Sequence, residues 1–207
     1  FIQGYIKGLS KMVLFFMGKR IFLAVKIHPE PELLDLVDLI RDELVDEQIK
    51  WVDDDQFHIT LKFFCDMPER EIEQITATVN DFCIRNNGFS FDLCNPGYFR
   101  DREQLRVVLL QTAKTDALVA FQSQLENCFI SLGIPKEDRT FKPHLTLGRI
   151  KSVRDPRHFD VLVKQFPQKS MQRVPVREII LFESILKPAG PEYLVLNRFR
   201  LEENSRD

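Results

Sequence analysis

A chain of 207 residues with 44% hydrophobic content has enough apolar mass for one large domain, or two small lobes, around a buried core. Its 29 basic and 31 acidic side chains leave a net charge of -2, which excludes a nucleic-acid binder working through a broad basic surface; a local basic pocket stays open. Cys65, Cys83, Cys94 and Cys128 are scattered, with no C-x-x-C pair and no dense framework, so they read as reduced thiols and a cytoplasmic location is expected.

The apolar run "MVLFFM", Met12 to Met17, is cut off by Lys19 and Arg20 long before the roughly 20 residues of a membrane span. No small-residue cleavage site follows it, as a secretory signal would require. "MGKRIFLAVKI" reads as a natural start, so residues 1–19 are expected to be an extension outside the fold, 20–201 the single folded domain, and 202–207 a polar tail.

"RIFLAVKI", Arg20 to Ile27, is short, apolar and β-rich, and His28-Pro29 ends it because the residue before proline is pushed to extended conformations. From Glu32 to Glu47, Leu33, Leu36, Val37, Ile40 and Leu44 recur at helical spacing among acids and predict an amphipathic helix. "IKWV" is a brief strand before the turn signal "DDDQ", and the strand "FHITLKFF" stops near Asp66-Met67-Pro68. A second helix over about Glu69 to Asn86 carries Ile72, Ile75, Val79, Phe82 and Cys83 on one stripe. "FSFDL" and "LRVVLLQT" read as strands separated by the loop "CNPGYFRDREQ".

A third helix over about Thr115 to Leu132 is closed by Gly133 and Pro135, and "FKPHLTLGRI" follows as a strand. The remainder is a short helix over Pro156 to Gln165, one long β-rich run "VREIILFESIL", and a last strand "EYLVLNRFRL". Strands and helices mix without a steady βαβ alternation, which predicts an α+β fold and not a doubly wound sheet.

"FHITLKF" and "PHLTLGR" both read histidine, apolar, threonine, leucine, each on a strand that follows a helix. With four histidines in the chain, coincidence puts threonine two residues after two of them in roughly one chain in a hundred. The spacing has a physical meaning, because successive strand residues point to opposite faces. His58 and Thr60 share a face, as do His144 and Thr146. Two such strands near a pseudo-twofold axis would converge two imidazoles and two hydroxyls on one cleft.

A histidine near pKa 6.5 is able to accept a proton or donate one at the same pH. A facing pair therefore suits in-line displacement at phosphorus, with one imidazole activating the nucleophile and the other protonating the leaving oxygen. Thr60 and Thr146 are candidates to hydrogen-bond the non-bridging oxygens. For a nearby cation, Lys62 shares parity with His58 and Lys142 with His144, whereas Arg149 is off parity and reaches the cleft only if its strand ends or bulges there. The bland alternative for either motif alone is a strand whose polar face borders solvent. A zinc site built from His58, His144 and Cys65 is the other alternative, weakened by the lack of H-x-H, H-E-x-x-H or an acidic third ligand.

In order and approximate spacing, "RIFLAVKI", "HITLKFF" and "FKPHLTLGRI" resemble the two-histidine phosphoesterases, most of all the RNA 2',3'-cyclic phosphodiesterases formerly called 2'-5' RNA ligases. The resemblance covers about Lys19 to Leu201. It implies a bilobal fold with two antiparallel sheets around a central cleft and helices outside. It also implies hydrolysis of a terminal 2',3'-cyclic phosphate to a 2'-phosphate with no metal or other cofactor. His58 would be the general acid for the leaving 3'-oxygen and His144 the base activating water, with Thr60 and Thr146 holding the phosphate. Arg149 matches the family's phosphate-binding arginine, and Tyr98 or Phe99 would stack on the terminal base. The chain departs from the family at Cys65-Asp66, where a glycine is usual, and in its middle loop. RNA ends carrying 2',3'-cyclic phosphate are the expected partner of a monomer that contacts no membrane; 2'-5' linked oligonucleotides, small cyclic-phosphate nucleotides, or RNA-end binding without turnover are the alternatives.

Overall fold

The structure is a computed structural model, and it describes residues 18–166, 169–188 and 190–203. The expected extension therefore lies outside the described residues except at its end, where Lys19 already belongs to the first strand, β1 (Lys19–Lys26). The remaining strands are β2 (Gln48–Trp51), β3 (His58–Met67), β4 (Phe89–Asp101), β5 (Gln104–Ala113), β6 (His144–Ser152), β7 (Gln172–Val176), β8 (Glu178–Lys187) and β9 (Gly190–Arg200). The helices are α1 (Pro31–Glu43), α2 (Glu69–Cys83), α3 (Asp116–Ser131) and α4 (Pro156–Gln165).

The strands form two sheets, ordered β3-β1-β8-β9 and β2-β6-β5-β4-β7, with every neighbouring pair antiparallel. One apolar cluster joins the helix stripes to one face of both sheets. It runs from Ile21, Leu23 and Val25 through Leu33, Val37 and Ile40 of α1 to Leu118 and Phe129 of α3, Leu145 and Leu147. A fully buried leucine or phenylalanine in such a cluster contributes about 1.5–3 kcal/mol. A second, smaller cluster of Phe22, Ala24, Ile180 and Phe182, flanked by Phe63 and Tyr193, lies on the opposite face of the four-stranded sheet.

Local signals fix most boundaries. Pro31 opens α1 at the first turn, where its missing N–H is no loss. The Asp155 side chain caps α4 by accepting from the N–H groups of Arg157 and His158. Gly133, at φ 81°, closes α3, with the Gly133 N–H on Ile130 O and the Ile134 N–H on Phe129 O.

Two sequence expectations are corrected. "CNPGYFRD" is not a loop: β4 runs through it to Asp101, pairing with β7 over Phe89–Leu93 and with β5 over Asp92–Asp101. A register shift between Leu93 and Pro96 absorbs the proline, which has no N–H for the ladder. The run "VREIILFESIL" is not one strand either. Val176 ends β7 in one sheet and Glu178 starts β8 in the other, so a single intervening residue, Arg177, carries the chain between sheets. The corner falls at the charged pair Arg177-Glu178 inside a β-rich run, which strand propensity alone does not reveal.

The Cys65-Asp66 departure also has a local cause. The pairing of β1 with β3 shifts between Lys19 and Ile21, and Asp66 takes φ 51°, in the left-handed region where glycine is at ease and aspartate is tolerated. Asp66→Gly is expected to raise the unfolding free energy in urea by about 0.5 kcal/mol, the left-handed cost less the extra entropy glycine loses.

Candidate active site

His58 is the first residue of β3 and His144 the first of β6, so each imidazole sits at the mouth of a different sheet. His58 Nδ1 lies 2.7 Å from the carbonyl oxygen of Gln56, and His144 Nδ1 lies 2.8 Å from that of Lys142. A carbonyl only accepts, so in both rings Nδ1 carries the hydrogen and Nε2 is left to exchange a proton with a ligand. Both acceptors are two residues upstream of their histidine.

Each motif then contains the same irregularity. Ala24 pairs with Thr60 but Leu23 pairs with Lys62, so β3 carries one extra residue, Leu61. Leu109 pairs with Thr146 but Val108 pairs with Gly148, so β6 carries one extra residue, Leu147. A bulge inverts the alternation beyond it. In β3, His58, Thr60 and Phe63 end on the cleft face, while Ile59, Leu61, Lys62 and Phe64 are buried behind it. In β6, Leu145, Leu147, Gly148 and Ile150 are buried, and exposed Arg149 joins the face of His144 and Thr146. The cleft arginine that strand parity left conditional is thus delivered by the bulge.

A cavity of about 380 Å³ is lined by His58, Thr60, Arg149, Tyr193, Phe22 and Arg20, among others. Phe22 lies 5.0 Å from the His58 ring and Tyr193 stands edge-on at 5.4 Å. Arg20 sits over the Phe63 ring at 5.4 Å. Across the cleft, Phe99 stands edge-on to His144 at 4.6 Å, at a second cavity that Lys142 also borders. Arg149 and His144 both act on the charge of His58, which places the two histidines and the arginine within electrostatic reach of one another.

The expected cation at position 62 is corrected. Lys62 is 3% exposed and turned away from the cleft, with its Nζ 3.0 Å from Glu126 and 3.1 Å from the Pro135 carbonyl. Strand parity failed there because the bulge at Leu61 lies between Thr60 and Lys62. Of the two aromatics, Phe99 meets His144, whereas the Tyr98 hydroxyl donates to Asp160 on α4 and Arg100 covers its ring at 5.0 Å. Tyr98 borders the second cavity without a free hydroxyl. Lys142 is exposed, and its backbone carbonyl holds His144. Among the described residues no three His, Cys, Asp or Glu side chains are gathered as a metal's ligands would be.

Arg20, Phe22 and Tyr193 were not singled out from the sequence. Arg20 and Phe22 share a strand face, but the continuous apolar run Ile21–Val25 does not mark which of its faces borders the cavity. Tyr193 arrives from the last strand, and no motif marks it.

Burial is the largest influence on both imidazoles and lowers the pKa of each, against the raising effect of the Nδ1–H bond to a carbonyl. For His58 the positive charges of Lys26, His144 and Arg149 lower it further; for His144, Arg149 does. The folded protein thus prefers both rings neutral, while the unfolded chain takes up protons as pH falls through about 6.5. The stability from the two neutral rings is complete above that pH and is lost as pH falls toward their depressed folded values. The drop in unfolding free energy from pH 7.5 to pH 5.5, measured by urea titration, is expected to be smaller in His58→Gln/His144→Gln than in the parent.

The chain's residues 29–185 match the family model described as the 2'-5' RNA ligase superfamily. An RNA 2',3'-cyclic phosphodiesterase of Methanothermobacter thermautotrophicus is 33% identical over 187 residues, which are 89% of this chain and all of that protein. One from Thermotoga maritima is 29% identical, over 88% of this chain and 96% of its own length. Among solved structures, a Thermus thermophilus protein superposes with a TM-score of 0.72 at 27% identity, over 88% of this chain and 97% of its own. Escherichia coli LigT, solved with 3'-AMP, superposes at 0.65 and 22% identity, over 88% and 98%, and supports the fold. With two antiparallel sheets and a family match over most of its length, the chain belongs to the 2'-5' RNA ligase superfamily.

Proposed function

We propose that the chain is an RNA 2',3'-cyclic phosphodiesterase that opens the terminal cyclic phosphate to a 2'-phosphate by paired-histidine general acid and base catalysis. The general activity follows its relatives, which carry that name over nearly the whole chain. One observation supports the mechanism above the others: both histidines give Nδ1–H to a carbonyl two residues upstream, which leaves each Nε2 for proton transfer, and the charge of His144 acts on His58.

In this reading His144 Nε2 takes a proton from a water molecule as its oxygen attacks phosphorus. The bond to the 3'-oxygen breaks, and His58 Nε2–H protonates that oxygen, giving a 3'-hydroxyl and a 2'-phosphate. Thr60 and Thr146 donate to the non-bridging oxygens, and Arg149 stabilises the charge gathered there in the transition state. Phe99, edge-on to His144, offers an apolar surface to the terminal base, where stacking contributes on the order of 1–3 kcal/mol. RNA-end binding alone would not need two imidazoles in the same tautomer.

The deciding experiment incubates the purified protein, with EDTA present, with a short RNA ending in 2',3'-cyclic phosphate, beside 2'-5' linked oligonucleotides and a cyclic-phosphate mononucleotide. A 2'-phosphate product formed in EDTA is expected; a 3'-phosphate would reverse the leaving-group assignment, and no turnover of any substrate would leave a binding module. His58→Ala and His144→Ala should each lower kcat by roughly 10²-fold or more. The pH profile of kcat/KM should be bell-shaped, because the working pair holds one proton. Its centre is expected below the ordinary histidine value of about 6.5, since both rings are lowered.

A further inference from the structure

We propose that Lys62, Glu126 and Gln122 form a positioning unit that holds β3 in its bulged register and so sets where His58 and Thr60 stand in the cleft. The proposal rests on the paired-histidine reading for its kinetic consequence, and on geometry for the rest.

The three side chains are 3%, 2% and 8% exposed, between β3 and α3 at the margin of the apolar core, and Gln122 and Glu126 border a cavity that Lys136 and Arg139 also line. They form one connected chain. The Gln122 amide donates to the carbonyl of Leu61, the extra residue of the bulge, at 3.2 Å, and to Glu126 Oε1 at 3.2 Å. Glu126 Oε2 accepts from Lys62 Nζ at 3.0 Å, and Lys62 also donates to the Pro135 carbonyl at 3.1 Å. Helix α3 therefore grips the bulged residue by its backbone and the next residue by its charge. An apolar side chain at position 62 would fill the same space without the desolvation of two ions, so simple packing does not account for the pair.

The register gives the reason. In a straight strand, residues 58, 60, 62 and 64 share a face. Phe64 belongs to the core and Lys62 is tied to α3, so a straight β3 would carry His58 and Thr60 inward with them. Leu61, inserted between, separates the cleft pair from the core pair. In β6 the corresponding place is filled differently. Gly148 occupies the place matching Lys62, and a Cβ there would meet Ile49 at 2.6 Å and Trp51 at 2.9 Å. The two halves thus share one irregularity, followed by a residue without a side chain in β6 and by a buried ion pair in β3. None of the three residues reaches the reacting atoms, so they act through Leu61.

The test uses Lys62→Met/Glu126→Met, which replaces the pair with apolar side chains of similar length, and Gln122→Leu, which removes the grip on Leu61. Each is read by thermal unfolding, by kcat and KM on RNA ending in 2',3'-cyclic phosphate, and by the NMR titration of the histidine rings. The double variant should fold with an unchanged or higher Tm. Its kcat should fall about tenfold with KM within about twofold, as expected when a catalytic group is misplaced. His58, which feels Lys26, His144 and Arg149 and stands against Tyr193, should titrate at a changed pH, by more than His144 does. Gln122→Leu should reproduce the kcat loss and the His58 shift. Folded variants with parental kcat and parental His58 titration would overturn the proposal. If the double variant does not fold, Gln122→Leu decides it by the same criteria. If the parent proves to hydrolyse none of the substrates, the His58 titration still decides the positioning role while the catalytic reading alone falls.

Discussion

The site depends on one backbone feature used twice, a single extra residue inserted just after each His-x-Thr. Without it, a strand with core residues on one face has nowhere to put an alternating histidine and threonine and then a group of opposite parity. With Leu61 inserted in β3 and Leu147 in β6, each strand offers the cleft the residues at the histidine, two beyond it and five beyond it. In β6 that last residue is Arg149, and in β3 it is Phe63. The two halves are therefore matched in backbone and unlike in chemistry. One supplies a guanidinium, while the other supplies an aromatic ring that Arg20 covers.

The second shared element is the carbonyl two residues before each histidine. It costs no side chain, yet it fixes the tautomer of both rings and orients them. Burial and the cations Lys26 and Arg149 then disfavour the charged imidazoles. An anionic phosphate is the kind of ligand that reverses this balance, because its charge complements the cations gathered at the cleft. The aromatic wall of Phe22, Phe63 and Tyr193 has a related effect, since it excludes water from one side of His58 and strengthens whatever electrostatics a ligand brings.

How much was legible can be judged strand by strand. Helices α1 to α4 were readable because their apolar stripes are local, and Gly133 marked the end of α3, whereas α1 and α2 stop at Glu43 and Cys83, short of the expected Glu47 and Asn86. His58, Thr60, His144 and Thr146 were readable because they precede the bulges, where ideal alternation still holds. Lys62 was misplaced and Arg149 left conditional for one reason, as both lie beyond a bulge that the alternation in "HITLKF" and "HLTLGR" does not mark. Gly148 was the one local hint, a residue with no side chain where the neighbouring strand comes too close for one.

By itself the sequence determined the α+β class, the helices and the paired motif, since each rests on side-chain periodicity or on short-range capping and turn chemistry. Tertiary structure alone decided which residues past the motifs face the cleft. It also divided "VREIILFESIL" between two sheets at Arg177 and brought Tyr193 from the last strand against His58. Strand pairing between distant segments sets all three, and register is a property of two strands together, which neither strand's own pattern contains.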